Sequence, residues 1–180
     1  MTRIAIPTAE QTPAASLPLL EAVNKQLGIV PNLMKVVGNS PAALEGYLSL
    51  NGALGKGMIG NKTGERIALA VAEFNRCSYC LSAHSYLASN LAKLDADEID
   101  ANRHGRSNDP KAAAAVHFAA QVVAARGHVS DADVVAVKAA GFGSGEIMEI
   151  VLHVALNTLT NYVNEVAKTD IDFPIVSPLG

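Results

Sequence analysis

The stretch ERIALAVAEFNRCSYCLSAH, residues 65–84, decides how this chain is organised. It contains the two cysteines of the sequence, Cys77 and Cys80, with His84 four residues after the second and Glu65 twelve residues before the first. A helix that begins at or just before Cys77 and turns about 100° per residue places Cys80 about 60° from Cys77 around its axis, with His84 between them in projection. The spacing therefore predicts two thiols and an imidazole on one helix face.

These residue types are those of a redox site. A thiol is a good nucleophile only as the thiolate, and a helix N-terminus together with a nearby base lowers a cysteine pKa from about 8.5 to about 3.5–7.5. A second thiol three residues away can then close a disulfide on a sulfenic acid or a mixed disulfide. The segment predicts a redox-active cysteine pair with its own base.

Length and composition are those of one domain with a sizeable core. The chain has 180 residues, of which 49% are hydrophobic, and its mean hydropathy is +0.22, so much of it is expected to be buried. Only 17% of the residues are charged, which is low for a domain of this length. Part of the surface is therefore expected to form an oligomer interface.

Charge and the opening residues argue against several classes of partner. A net charge of −3 and a pI of about 5.9 give no electrostatic reason to expect nucleic acid or an anionic membrane. Residues 1–7 lack a signal-peptide pattern, and no apolar run approaches the ~20 residues that cross a bilayer. We expect a cytoplasmic protein, in which a close cysteine pair is more typical of catalysis or metal binding than of a structural disulfide.

The chain is expected to form a single helical domain between two extended arms. Residues 1–15 and 169–180 carry prolines without a sustained hydrophobic period, whereas residues 16–168 show helical periodicity interrupted by glycine and proline. No stretch alternates as a half-buried strand would. The fold class predicted is all-α, a helical bundle with extended terminal arms.

Local signals place several helix ends. Ser16 is expected to cap a helix over 17–27, and a loop over 61–65 is expected to lead into a helix that ends near Phe74. Glu65 would then lie in the first turn of that helix, where the dipole favours an acid. A last long helix is predicted from Ser144 to about Lys168. Its inward residues are predicted to be Ile147, Ile150, Val151, Val154, Leu156, Leu159 and Val163.

The four residues Glu65, Cys77, Cys80 and His84 resemble a known motif. The same pattern is found in the AhpD-like alkylhydroperoxidases within the carboxymuconolactone decarboxylase family. It consists of an acid, a Cys-x-x-Cys that begins twelve residues later, and a histidine four residues after the second cysteine. Residues 28–32, followed by Ser-Pro-Ala-Ala-Leu, resemble the entry segment of that family, and the run from Asp172 to Pro174 resembles the ending of its peroxidase-related branch. The similarity covers about residues 20–174.

The resemblance implies an AhpD-like all-α domain that assembles into trimers or hexamers. It implies reduction of a peroxide by a dithiol–disulfide cycle that a dithiol reductant regenerates, with no prosthetic group, cofactor or metal. Carried over to this chain, Cys80 attacks the peroxide, Cys77 resolves it and exchanges with the reductant, His84 is the base and Glu65 orients it. Tyr79 stands where some AhpD enzymes carry a relay histidine, and on an ideal helix it points away from the sulfurs, so their proton path cannot simply be copied here.

The order of the two cysteines stays open at this point. Helix-dipole reasoning favours Cys77 as the thiol with the lower pKa and the greater exposure, because it lies closer to the helix start. The resemblance favours Cys80 as the attacking thiol. The residues alone do not decide between them.

Other interpretations remain open. The same dithiol suits a disulfide oxidoreductase or redox sensor, and a decarboxylase of the wider family would make the cysteines incidental. Cys77, Cys80 and His84 could also bind a metal with an outside fourth ligand, or the cysteines could be small buried hydrophobes.

The remaining histidines and three asparagines are weaker candidates. His153 is expected to be a satisfied core histidine and His117 a packing residue, whereas His104 and His128 are expected to be solvated. The asparagines of the last helix either line a pocket or cross a subunit interface: Asn157, Asn161 and Asn164.

Overall fold

The computed structural model describes residues 2–180, which form nine α-helices and no strand. A short 3-10 turn over Ala14–Ser16 precedes them. The helices are α1 (Leu17–Leu27), α2 (Asn32–Val37), α3 (Pro41–Leu54), α4 (Gly60–Phe74), α5 (Ser78–Asn90), α6 (Ala96–Arg103), α7 (Pro110–Ala124), α8 (Asp131–Ala139) and α9 (Ser144–Ala167). The all-α class predicted from the sequence is confirmed.

Helix α4 is the centre of the bundle, because α5, α6, α7 and α9 all pack against it. One apolar cluster joins α4 to α7, α8 and α9 around Ile67, Phe118 and Ile150. A second joins α2, α3 and α5 and includes both cysteines. The cysteine pair is thus built into a core rather than carried on a loop.

Two sequence predictions about helix starts are wrong. Ser16 does not cap α1: its backbone is helical, and its hydroxyl donates to the Gly38 carbonyl at 2.8 Å instead. Helix α4 begins at Gly60, so Glu65 lies in its second turn rather than its first. A helix dipole therefore does not explain why an acid stands at position 65.

Helix α9 has nearly the predicted bounds, but one of its predicted inward residues faces outward. Leu159 is 48% exposed. It belongs to a set of exposed apolar side chains, called here the α9 stripe, which consists of Met148, Leu152, Leu159, Tyr162 and Val166. The helical period locates the apolar positions of α9. It does not distinguish those that face the core from those of the α9 stripe, which face outward.

The C-terminal residues 168–180 contain no helix or strand and lie along α5. The Val176 N–H donates to the Ser82 hydroxyl at 2.9 Å, and the Leu179 N–H donates to Glu73 at 2.7 Å. Arg103 donates to the Ser177 carbonyl at 2.8 Å. This segment therefore covers the helix that follows the cysteine pair.

No helix within residues 2–180 combines the length and the apolar character that crossing a lipid bilayer requires.

Candidate functional site

The cysteine pair lies where the chain turns from α4 into α5. Arg76 has a left-handed backbone, with φ of 55°, and the Cys77 N–H donates to the Ala72 carbonyl at 3.0 Å. Cys77 is consequently the N-cap of α5 rather than its first residue, and its Sγ accepts a hydrogen bond from the Cys80 N–H at 3.4 Å. This turn separates the two helices and brings both sulfurs to the start of α5.

Both thiols are free and buried. Cys77 is 0% exposed and Cys80 is 2% exposed. The prediction that Cys77 is the more exposed thiol is wrong, because the N-cap sits inside the second apolar cluster together with Leu33, Leu44 and Leu81.

The two cysteine pKa values move in opposite directions. A hydrogen bond from the Cys77 side chain, the nearby His84 charge and the Asn164 amide lower the pKa of Cys80 to about 6, against the opposing effect of burial. The hydrogen bond to Cys80, together with burial, raises the pKa of Cys77. This is the reverse of the helix-dipole prediction, because Cys80 collects several donors while Cys77 keeps the shared proton.

His84 and Glu65 form an ion pair between α5 and α4. The imidazole Nδ1 lies 2.9 Å from Glu65 Oε2, and the two side chains are 21% and 23% exposed. Burial alone would lower the pKa of His84, but the charge and hydrogen bond of Glu65 outweigh it and raise that pKa. Because Nδ1 is engaged by Glu65, Nε2 is the ring nitrogen left for proton transfer.

Thus Glu65, His84 and the two cysteines lie together at the junction of α4 and α5. His84 follows Cys80 by one helical turn, and its charge acts on the Cys80 sulfur. The sulfurs occupy the buried side of this cluster, and the imidazole and carboxylate form its partly exposed edge.

Helix α9 supplies to this cluster one of the three asparagines for which the sequence left open a role in a pocket or at a subunit interface. Asn164 donates from Nδ2 to Cys80 Sγ at 3.2 Å and is 3% exposed. Asn161, one turn earlier, accepts from Asn75 Nδ2 at 2.8 Å. Asn157 instead donates to the His153 carbonyl of its own helix at 2.8 Å. The only sequence signal was a row of asparagines at helical spacing on an otherwise apolar helix.

Two tyrosines near the cysteines differ in their surroundings. The Tyr79 hydroxyl accepts from the Leu33 N–H at 3.0 Å and donates to Asp172 Oδ1 at 2.8 Å, so it anchors the C-terminal segment. Tyr47 of α3 packs against the cysteine cluster, and burial, with the charges of Cys80 and Glu65, raises its pKa.

The other histidines lie outside this cluster. His153 is not fully satisfied as predicted, because its buried Nε2 has no hydrogen-bond partner within residues 2–180. Its ring packs so closely on α4 that a Cβ on Gly64 would lie 2.8 Å from Cε1. His117 is exposed rather than packed, because α7 turns that position away from the bundle, whereas His104 and His128 are exposed as predicted.

The two best-defined cavities lie away from the cysteines. One of about 140 Å³ is lined in part by Thr63, Arg66 and Asp109, and one of about 210 Å³ is lined in part by Leu20 and Val30. Across residues 2–180, no three histidine, cysteine or acidic side chains are grouped so that they could hold a metal ion.

Comparison with known families identifies the segment that carries the cluster. Residues 41–123, which include Glu65, Cys77, Cys80 and His84, match the sequence model of the carboxymuconolactone decarboxylase family. The match covers a little under half of the chain. Comparison with curated protein sequences gives no match.

Solved structures show that the chain has an AhpD-like fold. An uncharacterized peroxidase-related protein from Silicibacter sp. TM1040 superposes with a TM-score of 0.82 at 24% identity, over 94% of this chain and 91% of the other. The alkylhydroperoxidase AhpD core of an uncharacterized peroxidase-related protein from Ralstonia eutropha JMP134 gives 0.82 at 22% identity, over 95% and 92%. The debrominase Bmp8 gives 0.79 at 18% identity, over 96% and 93%, and a cysteine-to-alanine variant of it is known in complex with 2,3,4-tribromopyrrole.

Proposed function

We propose that the chain is a thiol peroxidase that reduces small peroxides with the Cys77–Cys80 dithiol. The observation that carries this proposal is the environment of Cys80, whose sulfur accepts from Asn164 at 3.2 Å and whose pKa is lowered to about 6. At neutral pH such a sulfur is mostly thiolate, which is the nucleophilic form. The family match over residues 41–123 and the fold shared with peroxidase-related proteins support the same activity.

In the first step the Cys80 thiolate attacks the terminal oxygen of the peroxide. An S–O bond forms and the O–O bond breaks, so that the sulfur is oxidised and the leaving oxygen keeps the electron pair. His84, charged after it has accepted the Cys80 proton, donates a proton to that leaving alkoxide or hydroxide. Glu65 holds the imidazole by Nδ1 and favours its charged form.

In the second step the Cys77 sulfur attacks the Cys80 sulfenic acid. An S–S bond forms, the S–O bond breaks, and the departing hydroxide takes the Cys77 proton to leave as water. An external dithiol then reduces the disulfide and is itself oxidised. The cycle consumes one peroxide and one dithiol and yields an alcohol or water, a second water and a disulfide. We place it in the cytoplasm, where dithiol donors are kept reduced.

The burial of the sulfurs supports a small oxidant. With Cys77 0% and Cys80 2% exposed, a protein disulfide has no direct approach to either sulfur, whereas His84 and Glu65 are each about a fifth exposed. A peroxide entering beside the imidazole meets Cys80 next. This favours a peroxidase over a protein disulfide oxidoreductase that uses the same thiols.

Peroxide consumption with dithiothreitol as donor tests the proposal in single-cysteine variants. Cys80→Ser is expected to abolish turnover, and Cys77→Ser to stop it after one sulfenic acid per chain, which dimedone would trap. Mass spectrometry of the natural chain after one equivalent of peroxide should show the loss of two hydrogens. Ser78→Ala, between the cysteines, is the matched control and should keep full activity. Unreacted thiols after peroxide, or undiminished turnover in Cys80→Ser, would remove the proposal.

Reductive debromination is the second candidate, and the fold shared with Bmp8 over 96% of this chain favours it. The same thiolate would take a bromine from carbon, the carbon would keep the electron pair of the broken C–Br bond and accept a proton from His84, and Cys77 would displace bromide from the Cys80 sulfenyl bromide as the disulfide closes. Bromide release from 2,3,4-tribromopyrrole with dithiothreitol as donor tests it. A double-cysteine variant that retains full activity on a lactone acid would instead support a decarboxylase.

The α9 stripe supports assembly of the chain into a homo-oligomer, which the family resemblance implies to be a trimer or hexamer. Exposed apolar residues recur along this face at the alternating three- and four-residue spacings of a helix-pairing seam. They are Leu152, Ala155, Leu159, Tyr162 and Val166. Leu152→Glu with Leu159→Glu is expected to dissociate the oligomer, as measured by light scattering. Val135→Glu, at an exposed apolar position of α8, is the control. An unchanged mass in the α9 variant would exclude this interface.

A further inference from the structure

Two asparagine amides of α9 approach the Cys80 sulfur from the side opposite its own helix. Asn161 and Asn164 are three residues apart and therefore share one face of α9. Both are buried, at 0% and 3% exposure. Asn164 points Nδ2, not Oδ1, at Cys80 Sγ, and an N–H donor favours the thiolate over the thiol.

The Asn161 amide is held in place but keeps a spare donor. Asn75 donates to its Oδ1 at 2.8 Å, which orients the amide group. Its Nδ2 is fully buried and has no hydrogen-bond partner among residues 2–180, although the amide lies close enough to Cys80 to favour the thiolate. A buried N–H without a partner costs free energy, so a donor left open beside a reactive sulfur calls for a ligand.

Asn157 provides the internal comparison. It lies one turn before Asn161 on the same helix and is also buried, at 5% exposure. Its Nδ2 is used within α9, on the His153 carbonyl. A buried asparagine amide on α9 can therefore find a partner within its own helix. The proximity of the Asn164 and Asn161 amides to Cys80 is a property of those two positions.

We propose that Asn164 and Asn161 form a two-amide pocket around Cys80, in which Asn164 holds the sulfur as thiolate and Asn161 binds the oxygen that the sulfur takes from a peroxide. The second role rests on the peroxidase function proposed above; the first does not. Asn75 is a positioning residue that acts through Asn161.

The pocket fits the charge that moves during the reaction. As the S–O bond forms and the O–O bond breaks, the negative charge of the thiolate passes across the transferred oxygen to the leaving oxygen, which receives its proton from His84. The transferred oxygen stays on Cys80 as the hydroxyl of a neutral sulfenic acid, with the hydrogen that it carried in the peroxide. Asn164 donates to the sulfur at the start, and Asn161 donates to the transferred oxygen while charge passes across it, so that neither donor has to reorient.

Ultraviolet titration of the thiolate near 240 nm tests the role of Asn164 without any substrate. Asn164→Leu keeps the volume and removes the donor, and the first ionisation of the cysteine pair is expected to rise by about one pKa unit, the size expected for one hydrogen bond to a charge. Asn164→Asp keeps the shape of the side chain and adds a negative charge, so it should raise the pKa of that first ionisation further. The Asn157→Ala control should leave it in place.

This order of effects separates the proposal from simple loss of packing. If loss of packing caused the shift in the pKa, the shift would follow the change in side-chain size, which is smaller for Asn164→Asp than for Asn164→Leu. The proposal instead predicts the larger rise in the pKa for Asn164→Asp. Circular dichroism confirms that each variant is folded. A first ionisation that stays at the natural value in both Asn164 variants would overturn the role of Asn164.

Peroxide kinetics at pH 8 test the role of Asn161, because there the Cys80 thiolate is fully formed. Asn161→Ala is expected to slow the second-order reaction with hydrogen peroxide by at least tenfold, as when an oxyanion donor is removed, while shifting the first ionisation less than Asn164→Leu does. Asn75→Ala should cause a smaller loss of the same kind. A rate in Asn161→Ala equal to that of Asn157→Ala would overturn the role of Asn161.

The two tests also separate this inference from the proposed function. A shifted ionisation in the Asn164 variants of a chain that consumes no peroxide would support the thiolate pocket and reject the peroxidase. Normal peroxide turnover with unshifted ionisation and unchanged pH 8 rates would keep the peroxidase and reject the pocket.

Discussion

Glu65 and Arg66 are neighbours on α4, yet their side chains lie in two ion pairs of opposite character. Glu65 faces α5 and pairs with His84 at 2.9 Å, at an edge where both groups are about a fifth exposed. Arg66 faces α6 and pairs with Glu98 at 2.6 Å, where the two side chains are 7% and 6% exposed. One step along the helix thus separates a pair that can exchange protons with a substrate from one that cannot.

The Arg66–Glu98 pair is saturated with hydrogen bonds. Besides Arg66, the Glu98 carboxylate accepts from Asn102, the Ser107 hydroxyl and the Asn108 N–H. Although burial opposes it, these donors lower the pKa of Glu98 to about 2. Both oxygens of this carboxylate are hydrogen-bonded, Oε1 by three donors and Oε2 by one, which is the condition under which a buried charge is tolerated.

The Glu65–His84 pair leaves capacity unused. Its imidazole is held by Glu65 through Nδ1 alone, and the Asn161 Nδ2 has no hydrogen-bond partner within the described chain. A buried group with all its partners present is there for stability, because any change would cost a hydrogen bond. Groups with an open donor or acceptor beside a lowered cysteine pKa indicate where a substrate binds. The predictions below test this distinction.

The largest effect is expected on stability, from the saturated pair. Glu98→Ala leaves Arg66 as a buried charge without its partner, and we expect the free energy of unfolding to fall by about 3–5 kcal/mol, measured by urea denaturation. Glu65→Ala, at the exposed edge, is the matched control and should cost about 1 kcal/mol or less.

The pH dependence of stability provides a check on that result. Because the folded pKa of Glu98 lies below its ordinary value, its contribution is complete above about pH 4.5 and is lost as the pH falls towards 2. Glu98→Ala should therefore flatten the stability curve in this acidic window. An equally steep acid loss in the variant would mean that other carboxylates dominate it.

The next largest effect is expected on reactivity, from the unsaturated pair. Glu65 raises the pKa of His84, so Glu65→Gln lowers it, and the rate of the peroxide reaction above neutral pH should fall by about 100-fold, the lower range for general acid–base catalysis. The rate rises as Cys80 loses its proton and falls as His84 loses its own, so the alkaline limb of the profile should move to lower pH.

Glu73→Gln is the matched control for Glu65→Gln. Glu73 lies on the same helix and pairs with Arg103 at 2.7 Å, away from the sulfurs. Glu73→Gln should lower the free energy of unfolding without shifting the acidic or the alkaline limb of the pH–rate profile. Stopped-flow rates between pH 5 and 9 compare the two variants, and an alkaline limb that stays in place in Glu65→Gln contradicts the role of Glu65.

The smallest effect is expected at Tyr79, which lies on α5 as His84 does but has a hydrogen-bond partner for both its donor and its acceptor. Its hydroxyl bonds both the Leu33 N–H and Asp172. Tyr79→Phe should cost about 1–2 kcal/mol in thermal unfolding, because it leaves the amide and the carboxylate without that partner. It should leave the pH profile of the peroxide reaction unchanged, and a displaced profile would show that Tyr79 takes part in the proton relay.

Several features were predictable because they depend on residues close in sequence. The bounds of α1, the end of α4 at Phe74 and the start of α9 at Ser144 follow from local signals and helical period, and the structure confirms them. The gathering of two thiols and an imidazole at one helix start follows from their spacing. The facing of Leu159 and His117 was not predictable, because a helical period shows alternation but not which neighbours are present.

The sequence by itself determined the all-α class and the four residues of the Glu65, Cys77, Cys80 and His84 motif, since helix period, capping and motif spacing act within about twenty residues. Only the tertiary structure decided which of the two thiols has the lowered pKa. The hydrogen bond from the Cys77 side chain has the largest effect on Cys80, followed by the charge of His84, which Glu65 of α4 supports, and Asn164, 84 residues after Cys80, adds a donor from a distant segment. A pKa is set by the groups that surround an atom in space, and for Cys80 those groups come together only when α9 packs across the start of α5.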